Sequence, residues 1–269
     1  VRILLDHEAD VNAQGGVYGS ALQAASSRGH ENIVRILLDH KADVNAQGGL
    51  HASALRAASL RGHENVVRIL LDHKAIVNAQ DKAYERTLQA ASSRGHENIV
   101  RILLDHKADV NVQDKLYVKA LQTASLQGHE NLVRMLLDYK ADVNCQDEVY
   151  VQALQRASFL GHENLVRMLL DKGADVNIQS EDVSTALSRA MAYWRENSRE
   201  VPQLLFDHGA DVNRLDESAL IKAARRFSFE KCSTSCMKRN LISALKKEGL
   251  TTECEECRKR ITNDETTVC

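Results

Sequence analysis

Aromatic residues are scarce in this chain, 4% with a single tryptophan. That is too little for a large aromatic-centred core and natural for helices packed through Ala and Leu. Long apolar runs are also missing. The longest are broken by arginine, as in Ile33, Val34, Arg35, Ile36, Leu37 and Leu38, well short of the roughly 18 apolar residues of a membrane-crossing helix. No secretory signal stands out, and no membrane association is predicted. Cysteine is nearly absent from the body. Of six cysteines, only Cys145 precedes position 231, which excludes a disulfide framework and points to a reducing, intracellular setting, the cytoplasm first and the nucleus second. A net charge of −2 selects no partner by bulk electrostatics. Neither G-x-x-x-x-G-K-[ST] nor H-E-x-x-H occurs, and no catalytic residue, cofactor or small-molecule substrate is predicted. There is no initiating Met either. The chain opens at Val1 inside what reads as the second half of a repeat, leaving Val1, Leu4 and Leu5 without a covering helix, so the natural protein is expected to continue upstream.

What is present is a text that returns every 33 residues, at 10–42, 43–75, 76–108, 109–141 and 142–174. Self-similarity at a fixed period means stacked units that each pack on their neighbours. Each unit predicts a turn and two helices. In the first, Leu22 and Ala25 open a short, small-residue face, Gly29 ends that helix in a left-handed conformation, and Ile33, Val34, Leu37 and Leu38 form the apolar stripe of a second helix. Glu31 and Arg35 stand i, i+4 on its solvated side, and the pair recurs as Glu64/Arg68, Glu97/Arg101, Glu130/Arg134 and Glu163/Arg167. Ten of the eleven histidines fall in two register-locked sets. One is His30, His63, His96, His129 and His162; the other is His7, His40, His73, His106 and His208. Such locking predicts architecture, and the first set follows the glycine turn, where it can cap the next helix.

The boxes SALQAA at 20–25, SALRAA at 53–58, RTLQAA at 86–91, KALQTA at 119–124 and QALQRA at 152–157, each followed by Gly-His and an Ile/Leu/Val-Val pair, resemble the ankyrin repeat over about residues 1–250. The wording further resembles the ankyrin arrays of fungal NACHT-type proteins. The resemblance implies an all-α ankyrin solenoid of helix-turn-helix units with hairpin-like turns. Residues 1–9 form a partial repeat, 10–210 six repeats, 211–250 an irregular capping repeat with an insertion, and 251–269 a polar, Cys-containing tail. It implies a rigid scaffold that recognises another protein, as the sensing part of a larger one. Two departures stand out. The family's helix-opening proline is replaced by Ala21, Ala54, Thr87, Ala120 and Ala153, and the usual glycine after the second helix is Lys41, Lys74, Lys107 and Lys140. A left-handed lysine costs on the order of 1 kcal/mol, so these repeats are expected to be locally soft. The sixth unit, 36 residues long, carries its extra residues near Trp194, which either plugs the inter-helix loop or stands out as a contact, and Pro202 falls in the first turn of its second helix.

Ankyrin-like arrays bind through turn tips and first helices. One tip position reads Tyr18, His51, Tyr84, Tyr117 and Tyr150, either a ladder of partner contacts or braces between neighbouring hairpins. On the first helices, a position expected to be exposed runs Ala24, Ala57, Ala90, Thr123, Arg156 and Arg189, so the fifth and sixth units offer Arg156, Phe159, Leu160 and Arg189 together. An apolar group rimmed by arginine suits a partner hot spot; ordinary drift between repeats is the plain alternative. A second class of function sits in the tail. Cys232, Cys236, Cys254 and Cys257, with 17 residues between the pairs, read either as a zinc site or as free thiols. Residues 221–247 hold eight Lys/Arg and one acid, Glu230. Nucleic acid is nonetheless not the expected partner, and no bound metal is predicted.

Overall fold

A computed structural model describes residues 1–79, 86–111, 119–144, 152–180, 184–192 and 200–215. Helices follow the predicted pairs: α1 (Arg2–Asp6), α2 (Ala21–Ser27), α3 (Glu31–Asp39), α4 (Ala54–Arg61), α5 (Glu64–Asp72), α6 (Thr87–Ser93), α7 (Glu97–Asp105), α8 (Ala120–Gln127), α9 (Glu130–Asp138), α10 (Ala153–Leu160), α11 (Glu163–Asp171), α12 (Ala186–Ala192) and α13 (Glu200–Asp207). Two compact units divide the chain, Val1–Asp142 and Val143–Cys269. In the first, α2, α4, α6 and α8 stack in succession, each backed by its own second helix; in the second, α10 packs on α12. Leu22, Leu55, Leu88 and Leu121 and the Ala25, Ala58, Ala91 and Ala124 set are buried, as are Val34, Val67, Val100 and Val133. The helix-period stripes thus account for the core of each unit.

The helix ends explain the repeat text. Ser20 accepts a hydrogen bond from the Gln23 N–H (3.2 Å) while Gln23 Oε1 accepts from the Ser20 N–H (2.7 Å), a reciprocal cap that replaces proline as the start signal. Ser53 Oγ accepts from the Arg56 N–H at 3.2 Å, and Thr185 with Ser188 repeats the reciprocal cap at 2.8 and 3.2 Å. At the other end the His30 N–H reaches Ala25 O at 3.0 Å past Gly29 at φ 71°, a Schellman-type finish. Second helices finish alike, with Lys41, Lys74, Lys107 and Lys140 in the left-handed place at φ 63–67°, as expected; Gly173 and Gly209 hold it at φ 85°. Pro202 lies buried in the first turn of α13.

Both histidine sets have structural work, but the first differs from expectation. His30, His63, His96, His129 and His162 occupy the N-cap position without a side-chain cap bond. At His63 and His96 the ring instead turns back to the preceding repeat: His63 Nε2 donates to Ser27 O at 3.2 Å and His96 Nε2 to Leu60 O at 3.3 Å, whereas His162 Nε2 is buried without a partner. The His63 ring lies so close over the preceding repeat's glycine that a Cβ on Gly29 would fall 2.5 Å from His63 Nδ1. The physical reason is that the carbonyls ending the first helix are orphaned and within reach, so the imidazole serves them rather than its own helix. The second set donates from Nδ1 to a carbonyl four residues back, His40 to Ile36 and His106 to Ile102 at 2.8 Å, His73 to Ile69 at 2.9 Å. Where this set becomes Tyr139, the hydroxyl donates to Asp105 of the preceding repeat, which raises the Tyr139 pKa.

Two amide ladders were not foreseen. Asn12 accepts from the Asp43 N–H (2.7 Å) and donates to Lys41 O (3.4 Å); Asn45, Asn78 and Asn111 repeat this one unit on, as do Asn144 and Asn177 in the second unit. Gln23, buried, sends Nε2 to Ala46, Gly48 and Ala52 carbonyls at 3.2, 3.0 and 2.9 Å, and Gln155 does the same to Ile178 and Ser184 at 2.9 and 3.0 Å. Each repeat therefore supplies donors to the hairpin of the next. That satisfies loop backbone which would otherwise be buried without partners.

Candidate partner-binding face

The hairpin tips are closed by backbone bonds, Gly15 N–H to Gly19 O at 2.7 Å and Gly48 N–H to Ala52 O at 2.9 Å, and neighbouring tips join through Leu50 N–H to Val17 O at 2.8 Å. Residues 16–18 and 50–51 are turns, with Gly16, Gly49 and Ala52 in the left-handed region at φ 65°, 63° and 59°, and these turns place the tip residues. His51 is turned inward and only 4% exposed. Burial, with the Arg56 and Arg61 charges adding to it, holds its pKa below the ordinary imidazole range. Tyr18 is half-buried, its ring 6.3 Å from that of His51, with the Arg28 guanidinium 5.7 Å above it. In these two tips the position braces one hairpin against the next, and the side chain of His51 is not on the surface as a partner contact would be. The outward residues are the preceding ones, Val17 and Leu50, 68% and 64% exposed. The sequence carried that signal: the same position is Val17, Leu50, Ala83, Leu116 and Val149, apolar in the first five tips and Asp182 in the sixth. Tyr84, Tyr117 and Tyr150 lie outside the described residues.

On the first helices, the expectation of one exposed position is corrected. Ala57 and Ala90 are completely buried, because small side chains here let consecutive first helices meet. Thr123, Arg156 and Arg189 at the same position are half-buried. Of the expected group, Arg156, Phe159 and Leu160 lie on α10 and Arg189 on α12. Arg156 and Arg189 occupy equivalent places on α10 and α12, which pack on one another. Phe159 is half-buried one turn beyond Arg156, and Leu160 is 47% exposed at the end of α10. Planar guanidiniums beside an apolar pair can bind a carboxylate or an aromatic ring while a nearby apolar group anchors against the leucine.

The second-helix face is charged and occupied with itself. Arg68 pairs with Glu64 at 2.8 Å and Arg167 with Glu163 at 3.0 Å. Asn65 and Asn98 donate across repeats to Glu31 (2.7 Å) and Glu64 (3.1 Å). The bonds from Arg68 and Asn98 lower the Glu64 pKa. Among the described residues no group of His, Cys, Asp and Glu is arranged to hold a metal, and no helix is long and apolar enough to cross a membrane. Trp194, the basic stretch 221–247 and Cys232, Cys236, Cys254 and Cys257 lie outside the described residues.

The comparisons agree with this geometry. No curated protein matches the chain. Among solved structures, the ankyrin repeat domain of human ASB11 is similar, with a TM-score of 0.68 and 25% identity, covering 84% of this chain and 97% of that one. The family described as "Ankyrin repeats (3 copies)" matches residues 48–114, 88–180 and 120–216, and "Ankyrin repeats (many copies)" matches 21–71. The matched stretches cover more than half of the sequence and coincide with the stacked helix pairs, and the chain belongs to the ankyrin-repeat family.

Proposed function

We propose that this chain is a recognition scaffold for another protein, with a principal contact on α10 and α12 at Arg156, Phe159, Leu160 and Arg189. Ankyrin arrays are in general protein–protein interaction scaffolds, and many repeat-locked residues here serve the frame: His63 and His96 on carbonyls, the asparagines, Gln23 and Gln155 on the next hairpin, and Glu64 on Arg68 and Asn98. The observation that carries the reading is the departure from that frame at one place. The first-helix position that is a buried alanine in Ala57 and Ala90 becomes arginine on two adjacent helices, beside an exposed leucine. Aromatic and arginine side chains are favoured hot-spot residues. The wider reading is an intracellular sensor whose array reports to an upstream switch, and a phosphate-binding motif in the upstream reading frame is its test.

A photoreactive residue at position 160 is expected to crosslink to a protein in extracts of the source cells. Phe159→Ala with Arg156→Ala is expected to lower that yield about tenfold or more with an unchanged melting temperature. Undiminished crosslinking in the double variant refutes the contact.

A further inference from the structure

A second surface lies in the Val1–Asp142 unit, away from α10 and α12 in sequence. Arg28, Arg61 and Arg94 occupy one repeat position, at the C-terminal ends of α2, α4 and α6, and all three are exposed. Those helices pack side by side in that order, so the three guanidiniums form a row. No carboxylate among the described residues pairs with any of them. Helices α2, α4, α6 and α8 contain no Asp or Glu. Of the repeat carboxylates three residues on, Glu31 accepts from Asn65, and Glu64 from Arg68 and Asn98. An arginine in the last turn complements the helix dipole, but that does not explain the row. Gln127 on α8 and Leu160 on α10 hold the same position at the ends of equally regular eight-residue helices, so the fold does not require a cation there.

The spacing suggests what the row reads. Packed helices stand about 8–10 Å apart, and an extended chain in the polyproline II conformation rises about 3.1 Å per residue with three residues per turn, so every third side chain returns to the same face about one step of the row further on. We infer that Arg28, Arg61 and Arg94 dock an extended acidic segment of a protein partner in which carboxylates recur at every third residue. Each guanidinium can take a carboxylate bidentately, and complementary charge sets register and on-rate. Arg28 is already steadied over the Tyr18 ring. A single-stranded nucleic acid fits less well, since α2, α4 and α6 carry no aromatic side chain on which a base could stack, and each of α3, α5 and α7 begins with Glu and ends with Asp. This inference rests on the recognition reading above and names a partner class for residues of the Val1–Asp142 unit.

The test uses the full chain and three fluorescent nonapeptides in a Gly/Ser/Ala background: glutamates at positions two, five and eight; glutamates at two, four and six; and glutamines at two, five and eight. A short DNA strand serves as competitor. The first peptide is expected to bind tightest in anisotropy titrations, with affinity falling as salt rises. Arg28→Gln, Arg61→Gln and Arg94→Gln combined are expected to weaken it about tenfold, while the three Arg→Lys changes retain most of the binding. Equal binding of the two acidic registers overturns the inference, as does an unaffected triple Gln variant with unchanged circular dichroism, or a DNA strand that displaces the first peptide at lower concentration. If no peptide binds while the position-160 crosslink still forms and still depends on Phe159, the acidic class fails and the recognition function stands. If the first peptide binds through the arginines but the crosslink ignores Phe159, the α10–α12 contact fails alone.

Discussion

At the residue scale the repeat text holds positions that the fold uses against local preference. Lys41 and Lys74 each sit at φ 67°, where a side chain costs on the order of 1 kcal/mol relative to glycine. The same place in later units is Gly173, whose surroundings are open within 4 Å, so no contact depends on the lysine stem. Lys41→Gly with Lys74→Gly is expected to raise the melting temperature by several degrees, and an unchanged or lower midpoint contradicts the strain. Ile76 is a second such place. Asp10, Asp43, Asp109, Asp175 and Asp211 each accept a hydrogen bond at 2.9 Å from the N–H of the asparagine two residues on, while Ile76 stands there 56% exposed with no acceptor to offer. Ile76→Asp restores the turn and is expected to add about 0.5–1.5 kcal/mol in urea unfolding. His51 makes stability depend on pH. Its folded pKa is depressed, so the unfolded chain binds the extra proton first, and ∂ΔG/∂pH is positive in the window below about 6.5. Stability is therefore full above that value and falls as pH drops through it. His51→Gln is expected to flatten this part of the pH–stability curve relative to the parent chain.

At the element scale, a helix pair is completed by its neighbour as much as by itself. The first helices run only seven or eight residues, too short to persist alone in water, and their starts are uneven: Ser20 and Ser53 cap with oxygen, whereas Arg86 and Gln152 give no side-chain cap. What holds them is the coupling to the next hairpin. Gln23 is the strongest single strand of that coupling, because its one amide serves three carbonyls and its oxygen serves its own helix start. Gln23→Ala removes the side-chain donor from the part-buried Ala46 and Gly48 carbonyls and leaves Ala52 O with the Gly48 N–H alone, and is expected to cost on the order of 1–3 kcal/mol. Gln47→Ala, at an exposed position, is expected to change stability by less than about 0.5 kcal/mol. Equal effects of the two substitutions in denaturant titrations contradict the coupling.

At the scale of the whole molecule, the frame was legible because it is written five times over: helix pairs, glycine turns and left-handed lysines all follow from register alone. The Asn and Gln ladders escaped because their partners are backbone atoms of the next repeat, which no side-chain pattern names. At the tip the sequence left Tyr18 and His51 as either contacts or braces, and did not single out the apolar Val17 and Leu50 that are exposed beside them. Of the candidate contact group, the placement of Arg156, Phe159 and Leu160 on α10 and Arg189 on α12 followed from the period, while their degree of burial depended on how closely the alanines let the helices approach. Stacking also dictates how stability is distributed. Each unit is held by nearest neighbours, so a helix with fewer neighbours opens first. Helix α1 has no buried residue, and Ile3 and Leu4 are 74% and 64% exposed where the equivalent Leu37 is 1% exposed. Ile33 on α3 is still half-buried, whereas Val66, Ile99 and Leu132 at its position are 0–2% exposed. Amide exchange under native conditions is therefore expected to be fastest in α1, slower in α2 and α3, and slowest in α4 through α7, where both neighbours are in place. Uniform protection from α1 to α7 would mean that this unit opens only as a whole, and that the ladders couple repeats more tightly than nearest-neighbour contact provides.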